Sequence, residues 1–414
     1  MELLDKIHQA RERINNVAIH TSLMLNENLS AEFSAQVYLK REDLQPVRSY
    51  KLRGAYNKIV SLSDEEKAKG VVCASAGNHA QGVAYACDKL NIKGTVFMPV
   101  TTPPQKIEQV KLFGKDKVDI VLNGDTFDEA SEKAHQYCKE EKAVFIHPFD
   151  DEKVIAGQGT IALELLEDCD APIDYLFVPI GGGGVAAGLI SVFKQLSPHT
   201  KIIGVEPSGA ASMKTSIEKG VNTALVEMDN FVDGAAVKRV GDLNFDICKD
   251  GLEDIILVPE GKVCTTILRM YNEEAIVVEP AGALTISALD FYKEKIKDKN
   301  VVCVVSGSNN DITRMQEIKE RSLLYEGLKH YFLIQFPQRS GVFKDFVSDV
   351  LGRNDDIVYF QYTKKNNRES GPAVVGIELK DPKDLLRIEQ QLRDKKFKYQ
   401  YLNDHTDFFI IPVS

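Results

Sequence analysis

The sequence predicts an α/β chain built on parallel sheets, followed by a small α+β module, and three observations point there. From about residue 36 to residue 310, short apolar runs alternate with helical patterns. After about residue 325 the order of elements changes, and several of the earlier runs end in turns made of glycine, serine and asparagine.

The apolar runs are QVYLK, GVVCAS, KGTVFMPV, VDIVLNG, AVFIHPF, YLFVPI, KIIGVEP and NVVCVVS. Strands alternating with helices make βα units on a mostly parallel sheet, in which working groups gather where strands end and helix N-termini face the cleft. The last part of the chain, LKHYFLIQF, SGVFKDFVSDVLG, DIVYFQYT, AVVGIELK, DLLRIEQQLRDKKF and DFFIIPV, reads as strand, helix, strand, strand, helix, strand. That is the order of a ferredoxin-like βαββαβ module, with KKNNRESGP as its central hairpin turn.

Composition narrows the function. A net charge of -10, without a long run of lysines and arginines, disfavours nucleic acid and anionic lipid as partners and leaves small-molecule chemistry. The seven cysteines are widely spaced and form no CxxC pair, so they read as reduced interior thiols, with no metal site implied. The opening MELLDKIHQARERI is a charged amphipathic helix, and about 18 apolar residues nowhere run together. The expected location is the cytoplasm.

Three strand ends carry chemistry. In YLFVPIGGGGVAAG a strand runs into Gly181, Gly182, Gly183 and Gly184 and then a helix of small residues. Bare backbone there brings amide hydrogens together at the positive end of a helix, a cradle for an anion such as phosphate. No GK[ST] follows, which excludes a P-loop. A nicotinamide dinucleotide stays open, since Gly181, Gly183 and Ala186 satisfy GxGxxA and Glu206 ends the next strand; so does a plain glycine turn. In VVCASAGNHAQG, the loop of Ser75, Ala76, Gly77, Asn78 and His79 stands at a second helix N-terminus, either a carboxylate site or a capping turn. NVVCVVSGSNND has a strand that ends in Ser306, followed by further neutral hydrogen-bonding groups with no acid among them, either a neutral polar site or a plain turn.

Lys51, in RSYKLRGAYNK, starts a helix whose apolar side is Leu52, Ala55, Tyr56, Ile59 and Val60. A cation in the first turn opposes the helix dipole, whereas an amine that must lose its proton is helped there. An amine nucleophile together with a phosphate cradle suggests pyridoxal phosphate, whose aldehyde condenses with lysine.

SYKLRG, SAGNHAQG, GGGG and SGSNND occur in the order, and near the separations, of the tryptophan synthase β-like (fold type II) pyridoxal-phosphate enzymes, which this chain resembles over about residues 5 to 320. SAGNHAQG and GQGTIALELLE look most like threonine dehydratase (threonine ammonia-lyase). The resemblance implies a two-lobed catalytic domain over residues 1–320, with a smaller lobe at about 46–150 and a larger one at about 1–45 and 151–320. It implies that Lys51 holds the cofactor and later takes the Cα proton, and that Asn78 bonds the ring hydroxyl. Gly181, Gly182, Gly183, Gly184 and the Val185 amide would hold the phosphate, and Ser306 would meet the pyridine nitrogen. Tyr50 stands where the family often has phenylalanine against the ring, and its hydroxyl then needs a partner. Ser75, Ala76, Gly77, Asn78 and His79 would take the substrate carboxylate.

The implied reaction is loss of water from L-threonine, with L-serine a poorer substrate, giving 2-oxobutanoate and ammonia. Serine racemases have serine at the position of Ala76, so racemisation is not implied. LIQFPQRSGVFKDF resembles the opening of ACT-type regulatory domains. An ACT-like domain over 325–414 implies the biosynthetic enzyme of isoleucine formation, with isoleucine and secondarily valine as effectors, and the family suggests a homotetramer. A catabolic serine/threonine dehydratase, a nicotinamide oxidoreductase and a non-catalytic amino-acid sensor are the other readings.

Overall fold

The computed structural model describes residues 2–362 and 370–404. Contacts divide the chain into two compact units, residues 1–313 and 314–414. Helix Met315–Tyr325 therefore goes with the second unit.

The strands of the first unit are β1 (Leu23–Leu25), β2 (Gln36–Arg41), β3 (Val71–Ala74), β4 (Gly94–Met98), β5 (Val118–Leu122), β6 (Val144–Phe145), β7 (Tyr175–Pro179), β8 (Lys201–Pro207), β9 (Asp254–Val258) and β10 (Asn300–Val305). One sheet has the order β1-β2-β10-β7-β8-β9, the other β5-β4-β3-β6. Every pairing is parallel except that of β1 with β2. The sequence reading missed β1 and β9. It also expected a full strand in AVFIHPF, where only Val144 and Phe145 pair. Pro148 cannot donate to a ladder, and the His147 ring accepts the amides of Phe149 (3.3 Å) and Asp150 (2.7 Å), so the backbone turns out of the sheet.

Each sheet has its own core. Around the larger sheet pack Ile155, Ile161, Leu176, Val178, Leu189 and Phe193. Around the smaller one pack Leu52, Ala55, Ile59, Val83, Val96 and Met98. Helix Lys51–Val60 thus gives its apolar side to the smaller lobe, and its opposite side lies on helix Glu152–Asp168 of the larger one. A Cβ on Gly157 would lie 2.6 Å from the Arg53 carbonyl oxygen and the Gly54 Cα. One on Gly188, in helix Gly184–Leu196, would lie 2.7 Å from the Gly159 nitrogen. Glycine in a helix interior costs about 1 kcal/mol against alanine, and here it lets three helices touch backbone to backbone. The GQG of helix Glu152–Asp168 therefore sets the spacing between the helix that starts at Lys51 and the helix that starts at the four glycines.

A buried ionic cluster ties the same helices to β2. Arg53, 1% exposed, reaches Glu42 (2.7 and 2.8 Å) and Glu164 (2.6 and 2.9 Å), and the fully buried Lys40 reaches Glu164 (2.7 Å) and the Thr21 carbonyl (2.7 Å). Burial opposes the charge of Glu42, but the Arg53 guanidinium, with help from Lys40 and Thr21, holds its carboxyl below the ordinary value. Two cations face two buried carboxylates, with Asp168 at 3.5 Å from Lys40, so no positive charge is left unmatched in the cluster.

The second unit has β11 (Lys329–Pro337), β12 (Asp356–Tyr362), β13 (Ser370–Glu378) and β14 (Lys398–Tyr401) in the antiparallel order β12-β13-β11-β14, with helices Val342–Asp349 and Asp384–Asp394. Phe332, Ile334, Phe336, Phe346, Val375, Ile388 and Leu392 form its core. Residues 364–369 of the expected hairpin turn, and the run DFFIIPV expected as the last strand, lie outside the described residues. Among the described residues the fourth strand of the sheet is Lys398–Tyr401. The seven cysteines are free thiols, Cys138 and Cys169 half-buried and the others buried. Among the described residues no helix is long and apolar enough to cross a membrane.

Two stability effects are expected. Arg53→Met leaves Glu42 and Glu164 buried without their cation and should cost about 3–5 kcal/mol in chemical denaturation; a loss under about 1 kcal/mol would mean that water screens the cluster. Gly157→Ala presses a methyl onto main-chain atoms that cannot turn aside. It should lower stability by about 1–3 kcal/mol, whereas the same change on an exposed helix face would raise it.

Candidate active site

Main-chain pairing places Lys51 against the end of β10. The Tyr50 amide donates to the Ser306 carbonyl (3.2 Å), Ser49 and Gly307 form a bridge, and the Ser308 amide donates to the Arg48 carbonyl (3.0 Å). The helix then begins at Lys51 with no side-chain cap. The lysine Nζ donates to the Pro148 carbonyl at 2.9 Å and stands 5.4 Å from the centre of the Tyr50 ring. Burial lowers its pKa from 10.5 to about 8, against the opposing charge of Glu279. The amine is thus neutral in useful amounts near pH 8.

Lys51 opens on a pocket of about 270 Å³ that is also lined by Tyr50, Asn78, Gly181, Glu279 and Ser306. Five of its ten lining residues, Tyr50, Lys51, Asn78, Gly181 and Ser306, are ones that the sequence singled out. A roomier groove of about 890 Å³ passes Met24, Asn26, Arg41 and Glu274, and it includes none of them.

The four glycines are required by what stands behind them. A Cβ on Gly182 would lie 2.1 Å from the Phe149 ring, one on Gly184 3.0 Å from the Phe149 oxygen, and Gly183 has φ +89°. The Gly182 carbonyl is turned back to accept the Gly241 amide (3.1 Å) and the Asn244 side chain (2.7 Å). The amides of Gly183, Gly184 and Val185 meet no acceptor among the described residues. Bare amides at the start of helix Gly184–Leu196 are an anion site.

The Asn78 loop is equally open on one side. A Cβ on Gly77 would meet nothing within 4 Å, and the Gly77 amide donates to the Ser75 hydroxyl at 3.2 Å. Ser75, Ala76, Gly77 and Asn78 are half-buried. His79 turns inward: its Nε2 donates to the Ile146 carbonyl at 2.8 Å, and burial, then the Lys51 charge, push its pKa down to about 3. It is a neutral side chain, so what position 79 offers a carboxylate is its main chain.

Sequence reading missed two parts of the site. The loop His147–Asp150 lies under Lys51, His79 and Gly182 at once, through the Pro148 carbonyl, the preceding Ile146 carbonyl and the Phe149 ring. Its signal was a proline inside an apparent strand. Glu279 is fully buried beside Asn78, with Nδ2 to Oε1 at 2.6 Å. Its signal was an acid between apolar residues, just before the Pro-Ala-Gly-Ala that starts a helix. Glu206, by contrast, is occupied within the fold, accepting the amides of Met213 (2.7 Å) and Lys214 (2.9 Å) at the start of helix Ser212–Lys219. Since both oxygens are committed to that helix, Glu206 does not serve a dinucleotide ribose.

Pyridoxal phosphate suits this set. Free amides stand in a cradle that no side chain could enter, a buried amine has a lowered pKa, and a hydroxyl side chain at Ser306 is 2% exposed at the pocket wall. Fold and site together define an enzyme of the fold type II pyridoxal-phosphate class, and the family model described as pyridoxal-phosphate dependent enzyme matches residues 14–307. The model of the C-terminal regulatory domain of threonine dehydratase matches residues 320–410. The chain is 56% identical over 410 residues to L-threonine dehydratase biosynthetic IlvA of Halalkalibacterium halodurans, covering 99% of each chain. It is 55% identical to the protein so named in Bacillus subtilis, over 98% of this chain and 96% of that one. The processed form of threonine deaminase isoform 2 from Solanum lycopersicum superposes with a TM-score of 0.74 at 42% identity, over 78% of this chain and 88% of that one. The chain belongs to the biosynthetic threonine dehydratases, and its cofactor is pyridoxal phosphate.

Only a neutral amine adds to an aldehyde, so the rate at which the cofactor-free protein takes up pyridoxal phosphate should climb as pH passes through about 8 and then level off. Stopped-flow absorbance reads this. A rise centred near 10.5, the ordinary lysine value, would show that burial does not tune Lys51.

Proposed function

We propose that this chain removes water from L-threonine, through pyridoxal phosphate held at Lys51, to give 2-oxobutanoate and ammonia in isoleucine formation. The observation that carries the reading is the buried Lys51 amine, with its pKa lowered to about 8, in one pocket with Asn78, Gly181 and Ser306. When bound, the cofactor supplies an aldehyde for the substrate amine and a ring that withdraws electrons from Cα. The chain's own residues do the rest.

The amides of Gly183, Gly184 and Val185, with Gly181 and Gly182 giving clearance, hold the phosphate. Asn78 bonds the ring hydroxyl, and Tyr50 lies against the ring. Ser306 meets the ring nitrogen as a neutral partner. A hydroxyl there would not keep that nitrogen protonated as a carboxylate would, so the ring would draw electrons from Cα less strongly. The main chain of Ser75 to His79 takes the substrate carboxylate, and Ala76 offers no hydroxyl for reprotonation from the opposite face. Lys51 Nζ, neutral in useful amounts, would take up the Cα proton. Burial of the pocket keeps bulk water from that proton.

The compact unit of residues 1–313 is the catalytic domain, and the regulatory domain occupies 325–414 of the second unit, with helix Met315–Tyr325 leading into it. The regulatory domain takes isoleucine, and secondarily valine, as effectors; L-serine is the poorer substrate; and the protein works as a cytoplasmic homotetramer.

Threonine-dependent release of 2-oxobutanoate by the purified protein should follow added pyridoxal phosphate, fall by at least about 10³-fold in Lys51→Ala, and respond to isoleucine. Borohydride should fix the cofactor's mass onto the peptide carrying Lys51. A protein that stays colourless and inert with the cofactor present ends this reading.

A further inference from the structure

Glu279 is the largest unexplained polar commitment in the pocket. It immediately precedes helix Pro280–Ser287, yet its carboxylate does not cap that helix. Instead Oε1 accepts the Asn78 Nδ2 at 2.6 Å, and the Asn309 amide donates to the same carboxylate. The room for it is made by glycine: a Cβ on Gly307 would stand 2.4 Å from Oε1, and one on Gly234 3.6 Å away.

Asn78 is gripped from its other end as well. The Asn309 Nδ2 donates to the Asn78 Oδ1 at 2.7 Å and to the Val47 carbonyl at 2.9 Å. The Glu279 Oε1 accepts, and Asn309, whose Nδ2 serves two oxygens, acts here only as donor. The two contacts therefore fix which end of the Asn78 amide is nitrogen. One N–H of Asn78 is spent on Glu279, and the other is left for the pocket that Asn78 lines. Asparagine alone has no such preference, because its two ends are nearly equal in shape.

We propose that Glu279, together with Asn309, is a positioning residue that holds the Asn78 amide with its second N–H toward the ring hydroxyl of pyridoxal phosphate. The proposal rests on the assignment of Asn78 to that hydroxyl made above. Burial, and secondarily the charge of Asp233, raise the Glu279 carboxyl to about 7, while Asn78 and Lys106 oppose the rise and Lys51 faces it across the pocket. Its grip thus comes from an acceptor oxygen, and a neutral amide in its place keeps that oxygen.

The test is equilibrium titration of cofactor-free protein with pyridoxal phosphate, read by affinity and by the position of the visible absorption band, in Asn78→Ala, Glu279→Ala, Glu279→Gln and the double variant Asn78→Ala/Glu279→Ala. Asn78→Ala and Glu279→Ala should each weaken binding about tenfold and shift the band alike. Glu279→Gln should stay within about threefold of the parent with its band in place, and the double variant should bind no more weakly than Asn78→Ala. If Asn78→Ala weakens binding while Glu279→Ala does not, or the two losses multiply in the double variant, Glu279 does not act through Asn78 and the proposal falls. If Asn78→Ala binds and absorbs like the parent, the assignment of Asn78 itself falls and takes the proposal with it. Should Glu279→Ala not fold, Asn309→Ala removes the grip from the other end: a weakened, band-shifted variant supports the clamp, and an unchanged one overturns it.

Discussion

The contact between Arg53 and the carboxylates of Glu42 and Glu164 holds the rest in place. One guanidinium joins the end of β2, the helix that begins at Lys51 and the helix that spaces the two lobes. A lysine could not substitute, because four short contacts to two carboxylates need the planar fork of arginine. Only Leu52 separates Arg53 from Lys51. The reactive amine is therefore anchored within one helical turn by a cluster that carries no chemistry of its own.

Around that anchor, backbone does the positioning and side chains do the chemistry. Ser49 and Gly307 pair as strands do, which puts Ser306 beside Lys51 without any side-chain contact. Gly54, Gly157, Gly159 and Gly188 let helices meet at main-chain distance, and the four glycines at the head of the last helix leave only amides exposed to an anion. Charge is arranged in the same economical way. Balanced pairs keep Arg53 and Glu42 ionised in the interior, whereas among the described residues no carboxylate hydrogen-bonds Lys51, and burial moves it toward neutrality.

Much of this was legible in the sequence, for stated reasons. Parallel strands announce themselves as apolar runs, and anion cradles as glycine followed by small residues, so Gly181 to Gly184, the Asn78 loop and Ser306 could be found from their places after strands. What stayed hidden depends on distance in space. Glu279 is one acid among many until Asn78, 201 positions earlier, is seen beside it. His79 shares a loop with Asn78 but points the other way, a fact that a one-residue step along a helix decides and composition does not. The HPFD loop was misread because its apolar residues match a strand, while its proline and the His147 ring end the ladder after two residues. In the second unit the strand Lys398–Tyr401 was not legible, because its mixed polarity gives no apolar run to mark it.

The pairing of β2 with β10 has a consequence for how the protein is made. Gln36 to Arg41 lie directly beside Asn300 to Val305, so the middle of the larger sheet joins segments that leave the ribosome some 260 residues apart. Lys51 emerges early, yet Ser306 and the bridge that registers Lys51 on it come near the end of the catalytic part. Every nascent chain passes through a long period in which β2 has an unpaired edge and the lysine has no pocket. Such distant closure is slow to fold and exposes sheet edges to wrong partners. Cofactor capture thus waits until the catalytic part of the chain is complete, and until then the unpaired edge of β2 must be kept from wrong partners.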